Sequence, residues 1–270
     1  MTLPGTLTSL TNPRIKAAVR LRDRREREAT GLTIVDGARE LTRALDAGVQ
    51  VQEAFVVDGL VRTDEARDLI GRLAGTVGIT EVSEAVLAKV AFGDRSDGMV
   101  AVVRTPPTDL ARLAPGEESL VVVVEAVEKP GNLGAILRTA DGAGVDAVIA
   151  ADPRTDLFNP NAIRASLGTV FTRPVAAAPT AEVLAWLADR GIRPVAARVD
   201  AERPYTDADL RGPVALVLGS EAEGLREAWD DAGVEPVRIP MHGTADSLNV
   251  SVAAAVLLYE AVRQRTAGPR

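Results

Sequence analysis

The sequence predicts an α/β protein in two parts: a smaller α/β unit over residues 1–104, a linker over 105–118, and a larger unit over 119–270 built on a parallel sheet. Three observations carry this. Short apolar runs alternate with runs of helical spacing along most of the chain. One run, SLVVVVEAV, has unbroken valines, which fits a central strand buried on both faces. Just before it, TPPTDLARLAPGEES holds three prolines and no sustained period, the mark of a boundary.

Residues 12–29 read as one helix, with Asn12 as cap, Pro13 at the first position, and Ile15, Ala18, Val19 and Arg22 at helical spacing. After Gly31, LTIVDG reads as a strand, 38–47 as a helix closed by Gly48, VQEAFVV as a strand, 63–73 as a helix, and MVAVVRTP as a strand. In the larger unit SLVVVVEAV begins the sheet, and VDAVIA, RPVAARV, PVALVLG and PVRIP continue it. Helices are expected between them at 132–142, 180–189, 225–231 and 247–264.

Composition removes much chemistry. The 270 residues contain no cysteine, which excludes disulfides, thiolate nucleophiles and iron-sulfur clusters, and one histidine, His242, which leaves no His-rich metal site and no spare histidine for a His-based triad. No apolar run approaches a bilayer span, and the first residues lack the pattern of a signal peptide, so the cytoplasm is the expected location. The net charge of −7 argues weakly against nucleic acid, but its distribution matters more. Residues 1–104 carry 15 basic and 15 acidic side chains, so the acidic excess falls on the rest, and the stretch from Arg14 to Arg27 is locally basic.

Three segments carry candidate chemistry. EKPGNLGAILRTADGAG leaves the valine strand and enters a helix; Gly131 and Gly134 permit close backbone approach, and a helix N-terminus favours anions. It matches neither G-x-G-x-x-G nor a P-loop. Arg138, four residues after Gly134, stands about one turn into the helix, within reach of a phosphate or sugar at that end. The plainer alternative makes Gly131 a turn residue and Arg138 a solvated charge. LVLGSEAEGLREAW brackets Ser220, Glu221 and Glu223 between Gly219 and Gly224 at the carboxyl end of a strand, where open α/β sheets bind ligands; a helix cap is the alternative. IPMHGTADSLNVSVAAAVLLYEAV joins a strand through a polar loop to an apolar helix, with Ser247 and Asn249 as site residues or simply caps, and His242 as an exposed side chain. So apolar a helix must be covered by the sheet or by a second copy of the chain, and charge placed at Val256 or Leu257 is expected to separate the copies.

Together, N-x-G-x-x-x-R-T at Asn132, Gly134, Arg138 and Thr139, LGSEAEG at 218–224, IPM at 239–241 and SLNVS at 247–251 resemble the SpoU (TrmH-like) branch of the SPOUT RNA methyltransferases. NPNAIRASLGTVFTRPV, around Asn161, Arg164, Ser166, Gly168 and Phe171, extends the match. NPRIKAAVRLRDRREREATGLTIVDGARELTRAL looks like the ribosomal-protein-like substrate-binding domain often fused in front of such enzymes, with Asp36 where Glu is usual.

The resemblance implies a SPOUT domain with a deep trefoil knot, S-adenosylmethionine as cofactor, a homodimer formed through the C-terminal helix, and transfer of a methyl group to a ribose 2′-hydroxyl. It places the cofactor against Ala197, Leu218, Gly219, Gly224, Ile239, Met241 and Leu248. It gives catalytic work to Arg138, Asn132, Glu221, Ser247 and Asn249. A guanidinium stays protonated, so Arg138 is expected to steer a phosphate and stabilise oxyanion charge. Arg164, Arg22, Arg24 and Arg25 are the expected RNA contacts, and no metal is required. The added N-terminal domain favours ribosomal RNA; transfer RNA, a non-catalytic RNA-binding protein and a small-molecule enzyme using a nucleotide cofactor are the alternatives. A chain starting near residue 107 is expected to fold and to bind S-adenosylmethionine while losing RNA affinity.

Overall fold

The chain folds into two compact units whose division does not follow the order of the sequence: Met1–Pro106 with Phe158–Thr172, and Pro107–Leu157 with Arg173–Arg270. The computed structural model describes residues 5–75, 77–92, 97–220, 223–230 and 232–267. The chain runs through α1 (Pro13–Arg20), α2 (Arg24–Thr30), β1 (Leu32–Asp36), α3 (Ala38–Asp46), β2 (Val51–Val56), α4 (Asp64–Ala74), β3 (Ile79–Glu81), α5 (Glu84–Val90) and β4 (Met99–Arg104). It continues through β5 (Leu120–Glu125), α6 (Pro130–Gly142), β6 (Ala147–Ala151), α7 (Pro160–Ala165), α8 (Thr169–Thr172) and β7 (Val175–Ala178). It ends with α9 (Thr180–Asp189), β8 (Arg193–Ala197), β9 (Val214–Leu218), β10 (Glu235–Val237) and α10 (Val250–Thr266).

In the first unit the stretch expected as one helix is two. Asn12 caps α1 by accepting from the Arg14 amide at 2.9 Å, as its position before Pro13 implies. Asp23 then caps α2, accepting from the Arg25 amide at 2.9 Å, and this second cap breaks the run. The sheet has the order β1-β4-β2-β3, with β4 antiparallel to β1 and β2, and β3 parallel to β2. Neither β3 nor α5 was expected. Residues 158–172, expected within the larger unit, cluster here instead. Thr33 Oγ1 donates to the Phe158 carbonyl at 2.7 Å and Arg43 to the Leu167 carbonyl at 2.5 Å. Gly168, at φ +81°, passes so close to α3 that an added Cβ would lie 2.9 Å from Glu40 Cα, so a side chain has no room.

The second unit holds a six-stranded, all-parallel sheet in the order β10-β8-β9-β5-β6-β7. Every residue of β5 is buried, as its unbroken valines imply, and Val121, Val123, Ile149 and Val217 pack with Trp186, Leu187 and Trp229 in one core cluster. The pairings Val237 with Ala197, Ala197 with Leu218, and Leu218 with Val124 set the carboxyl ends of four strands in one row. β7, an alanine-rich edge strand, was not expected. Of the helix expected over 225–231 there is a 3-10 turn at Glu227–Trp229, and Asp231 lies outside the described residues. No helix among the described residues is long and apolar enough to cross a membrane.

Candidate functional site

The site is assembled by the row of strand ends. The chain leaves β5 at Glu125, β8 at Ala197, β9 at Leu218 and β10 at Val237; the cofactor residues expected from the sequence stand at the ends of β8 and β9 and in the loops after β9 and β10. Parallel strands must all point the same way, so these loops gather at one edge.

After β9 the backbone closes a tight turn: the Ser220 amide donates to the Gly224 carbonyl and the Gly224 amide to the Ser220 carbonyl, each at 3.1 Å. A Cβ at Gly219 would sit 2.2 Å from the Gly224 carbonyl carbon, so this close backbone approach requires glycine. Gly224 has φ +68°, and Ser220 Oγ accepts from the Glu223 amide at 3.1 Å. Glu221 lies outside the described residues.

After β10 the Arg238 amide still bonds the Arg203 carbonyl at 2.9 Å, and then pairing stops. Among the described residues no peptide group of residues 239–248 makes a hydrogen bond within the chain. Ile239, Met241 and Leu248 are half-buried there, while Ser247 and His242 are exposed. Unpaired amides and carbonyls beside partly buried apolar side chains suit a nucleoside, which needs both an apolar slot and directed hydrogen bonds. The residues present therefore fit S-adenosylmethionine.

α6 begins at Pro130, two residues earlier than expected, because proline fits the first helical turn. Gly131 is consequently a helical residue, and Arg138 lies about 12 Å along the axis from Pro130 rather than about one turn. Arg138 is exposed and has no side-chain hydrogen bond or ion pair among the described residues. Asn132, in the first turn, accepts from Asn249 Nδ2 at 3.3 Å, which joins the first motif to the third. Asn249, not Ser247, caps α10: its Oδ1 accepts from the Ser251 amide at 3.0 Å and the Ser251 hydroxyl at 2.6 Å. Capping and pairing with Asn132 use different atoms, so the two readings of Asn249 coexist.

One face of α10 is buried through Ala254, Leu257, Leu258 and Ala261, while Val252 and Tyr259 stay 48% and 54% exposed on the other. Leu257 is only 1% exposed, so charge there disturbs the chain's own core rather than testing association.

The expected RNA contacts of the first unit have partners of their own. Arg22 donates to the Lys89 and Ala91 carbonyls at 2.8 Å each and stacks on Phe92 at 5.1 Å. Arg24 pairs with Glu28 at 2.6 Å, Arg20 with Glu26 at 3.4 Å, and Arg14 with Glu53. Arg25 and Lys16 keep side chains without a partner among the described residues. Arg164 meets Asp36 at 3.3 Å and donates to the Phe92 carbonyl. Burial pushes the Asp36 carboxyl up to about 6, although the Phe92 amide and Arg164 pull the other way.

Sequence reasoning missed Glu125, Arg154 and Arg226. Arg154 bridges Glu128 and Glu223, the latter at 2.9 Å, and Arg226 reaches Asp152 at 2.6 Å. These pairs tie together the loops after β5, β6 and β9. Glu125 is read from the sequence as the end of a hydrophobic strand, and a carboxyl in such a run is the signal that was available.

A model of the SpoU rRNA methylase family matches residues 119–259, and one of the MRM3-like substrate-binding domain matches residues 12–101. The 23S rRNA (uridine(2479)-2′-O)-methyltransferase of Streptomyces viridochromogenes is 33% identical over 258 residues, covering 92% of this chain and 88% of the relative. The crystal structure of an RNA 2′-O ribose methyltransferase is similar at 45% identity and a TM-score of 0.86, covering 96% of this chain and 99% of that one. That of the Streptomyces viridochromogenes SpoU methyltransferase AviRb in complex with AdoMet has 31% identity and a TM-score of 0.86, covering 96% of this chain and 100% of that one.

Proposed function

Since the chain belongs to the SpoU rRNA methylase family, we propose that it is an S-adenosylmethionine-dependent methyltransferase acting on a ribose 2′-hydroxyl of ribosomal RNA. The observation that carries this reading is the meeting of three motifs at one sheet edge, where Asn132 bonds Asn249 beside a stretch of unpaired peptide groups. The substrate class is supported by relatives named as 23S rRNA 2′-O-methyltransferases.

When bound, S-adenosylmethionine supplies an electrophilic methyl carbon: the ribose oxygen bonds to it, the S–C bond breaks, and S-adenosylhomocysteine and the hydroxyl proton leave. The peptide groups of residues 239–248 and the glycine-bracketed turn at Gly219 hold the cofactor, with Ala197, Leu218, Gly224, Ile239, Met241 and Leu248 around it. Arg138 contributes a permanently charged fork that steers an RNA phosphate and stabilises the developing alkoxide. Asn132 and Asn249 orient the ribose, Ser247 lies on the same loop, and Glu221 is the carboxylate assigned to hold Arg138 or accept the proton. No metal enters this mechanism. In the first unit, Arg25 and Lys16 are the side chains best placed to meet phosphates, since Arg22 and Arg24 are engaged within the chain.

The same reading includes the trefoil knot, a homodimer and a cytoplasmic location. The knot is supported by the lacing of the segment after β10 against residues 203–205, through Arg238 to Arg203 and Tyr205 to Arg238, each at 2.9 Å. The dimer is supported by the half-bare Val252 and Tyr259.

Methyl transfer from labelled S-adenosylmethionine to ribosomal RNA, alongside calorimetric binding of S-adenosylhomocysteine, tests the proposal. Arg138→Ala is expected to lose about 100-fold or more in transfer with cofactor affinity nearly intact, and Arg138→Lys to remain poor. Near-normal turnover in either variant removes Arg138 from the mechanism. Incorporation into transfer RNA alone overturns the assignment of the substrate.

A further inference from the structure

Among the described residues, the most buried carboxyl group in the second unit lies at the edge where the cofactor loops meet. Glu125, the last residue of β5, is 0% exposed, within a strand whose other five residues are Leu and Val. A carboxyl group held out of water costs several kcal/mol unless its oxygens find donors. Both do. Thr180 Oγ1, itself 5% exposed, donates to Oε1 at 2.7 Å, and the Arg226 amide donates to Oε2 at 2.9 Å.

Arg226 is two residues past Gly224, where the chain leaves the turn closed by Ser220 and Gly224. The turn is therefore pinned twice: by its own pair of 3.1 Å bonds, and by a bond from its exit to the central strand. Ala126, immediately after Glu125, has φ +52°, a left-handed conformation that alanine adopts at a cost. The strand end is thus held in a fixed, strained form where it grips the turn. An apolar residue would pack this position in β5 without that desolvation cost, so the carboxyl group is best explained by what it holds.

We propose that Glu125 is a positioning residue for the cofactor loop: through Oε2 it fixes the Arg226 amide and so sets the Gly219–Gly224 approach against β5. It touches neither cofactor nor substrate. The inference rests on the reading of this edge as the S-adenosylmethionine site.

The N–H can be replaced at Arg226, whose φ of −73° proline fits, with the ring Cδ then turned toward Glu125 Oε2, so variants at Glu125 serve as the second reading. Arg226→Pro and Arg226→Ala both lack the guanidinium that pairs with Asp152, but only the alanine variant keeps the N–H. Calorimetry with S-adenosylhomocysteine is expected to give a Kd about 10-fold weaker for the proline variant than for the alanine variant. In the ligand-free proteins, the Ser220 and Gly224 amides are expected to exchange hydrogen faster in the proline variant. Glu125→Gln and Glu125→Met supply a second pair. Glutamine offers Oε1 to the Arg226 amide and Nε2 to the Thr180 hydroxyl, and is expected to stay within about 3-fold of wild type, as both bonds survive. Methionine fills the space but leaves the Thr180 hydroxyl and the Arg226 amide without an acceptor, and is expected to weaken binding about 10-fold, more than its loss of Tm accounts for.

Equal affinities and equal exchange across both pairs overturn the proposal, as does affinity that falls only in step with Tm. Failure of the wild type to bind S-adenosylhomocysteine overturns the functional reading instead, while amide exchange still decides the role of Glu125.

Discussion

Asp36 offers a measurable electrostatic signature in the first unit. Its side chain is 3% exposed, Oδ2 takes the Phe92 amide at 2.5 Å and Arg164 at 3.3 Å, and Oδ1 has no partner among the described residues. Burial raises the carboxyl from 3.8 to about 6, with Asp97 and Glu40 pushing in the same direction. The folded chain thus binds this proton more readily than the unfolded chain. Stability from Asp36 is fully present below 3.8 and is lost as pH rises through about 6. The move from 3.8 to about 6 corresponds to about 3 kcal/mol between fully protonated and fully ionised conditions. Glu40, also raised by burial, adds to the trend. Asp36→Asn keeps an acceptor for the Phe92 amide but cannot ionise, so its stability minus that of wild type should grow by about 2 kcal/mol between pH 4 and pH 7. Amide exchange of β1 and β4 residues such as Ile34 and Val102, corrected for intrinsic rates, reads the opening free energy of this sheet at each pH. Parallel curves for the two proteins would refute the argument. Using the difference between pH values removes the fixed cost of burying an amide.

Gly219→Ala forces a Cβ to within 2.2 Å of the Gly224 backbone, so S-adenosylhomocysteine binding should fall by about 10-fold or more, read by calorimetry. If the proposed dimer forms through α10, Val252→Glu, at a residue 48% exposed, should give monomers by light scattering and lower Tm only by what association contributes; a dimer in the variant moves the interface elsewhere. Arg22→Ala removes two 2.8 Å bonds to carbonyls and a ring contact, and should cost about 1–3 kcal/mol of stability. Arg25→Ala should leave stability alone and lower the salt dependence of RNA binding by about one phosphate; an unchanged slope means the residue faces no RNA.

What the sequence made legible was whatever short-range pattern decides. The valines of β5, the Pro13 and Asn12 pair at α1 and the runs at β6, β8 and β9 follow directly from periodicity and capping. The failures have equally local causes. β7 reads VAAA, and alanine carries little strand preference; pairing with β6 makes it a strand. The cationic run before Gly31 reads as one helix until Asp23 is recognised as a second cap. Ser247 and Asn249 are both good caps, and only the observed bond to the Ser251 amide separates them. Motif spacing singled out candidate residues, of which the fold joins Asn132 to Asn249, and the four-residue spacing of Arg24 and Glu28 displays their pair; the pairing of Arg22 and Arg164 depends on partners 67 to 128 residues away, which no pattern displays.

The membership of Phe158–Thr172 in the first unit bears on how the protein can be made and cut. When residue 106 leaves the ribosome, the unit it closes still lacks Phe158, Leu167 and Gly168, which meet Thr33, Arg43 and Glu40. Some fifty further residues, including β5, α6 and β6, must be synthesised before those partners arrive. The first unit therefore cannot be completed until the opening part of the second, through residue 157, has been made. A chain starting near residue 107 would carry Phe158, Ile163 and Phe171, buried at 5%, 1% and 8%, without the surface that covers them. Dissection of function by deletion would then measure newly bared apolar surface, and point substitutions are the cleaner instrument.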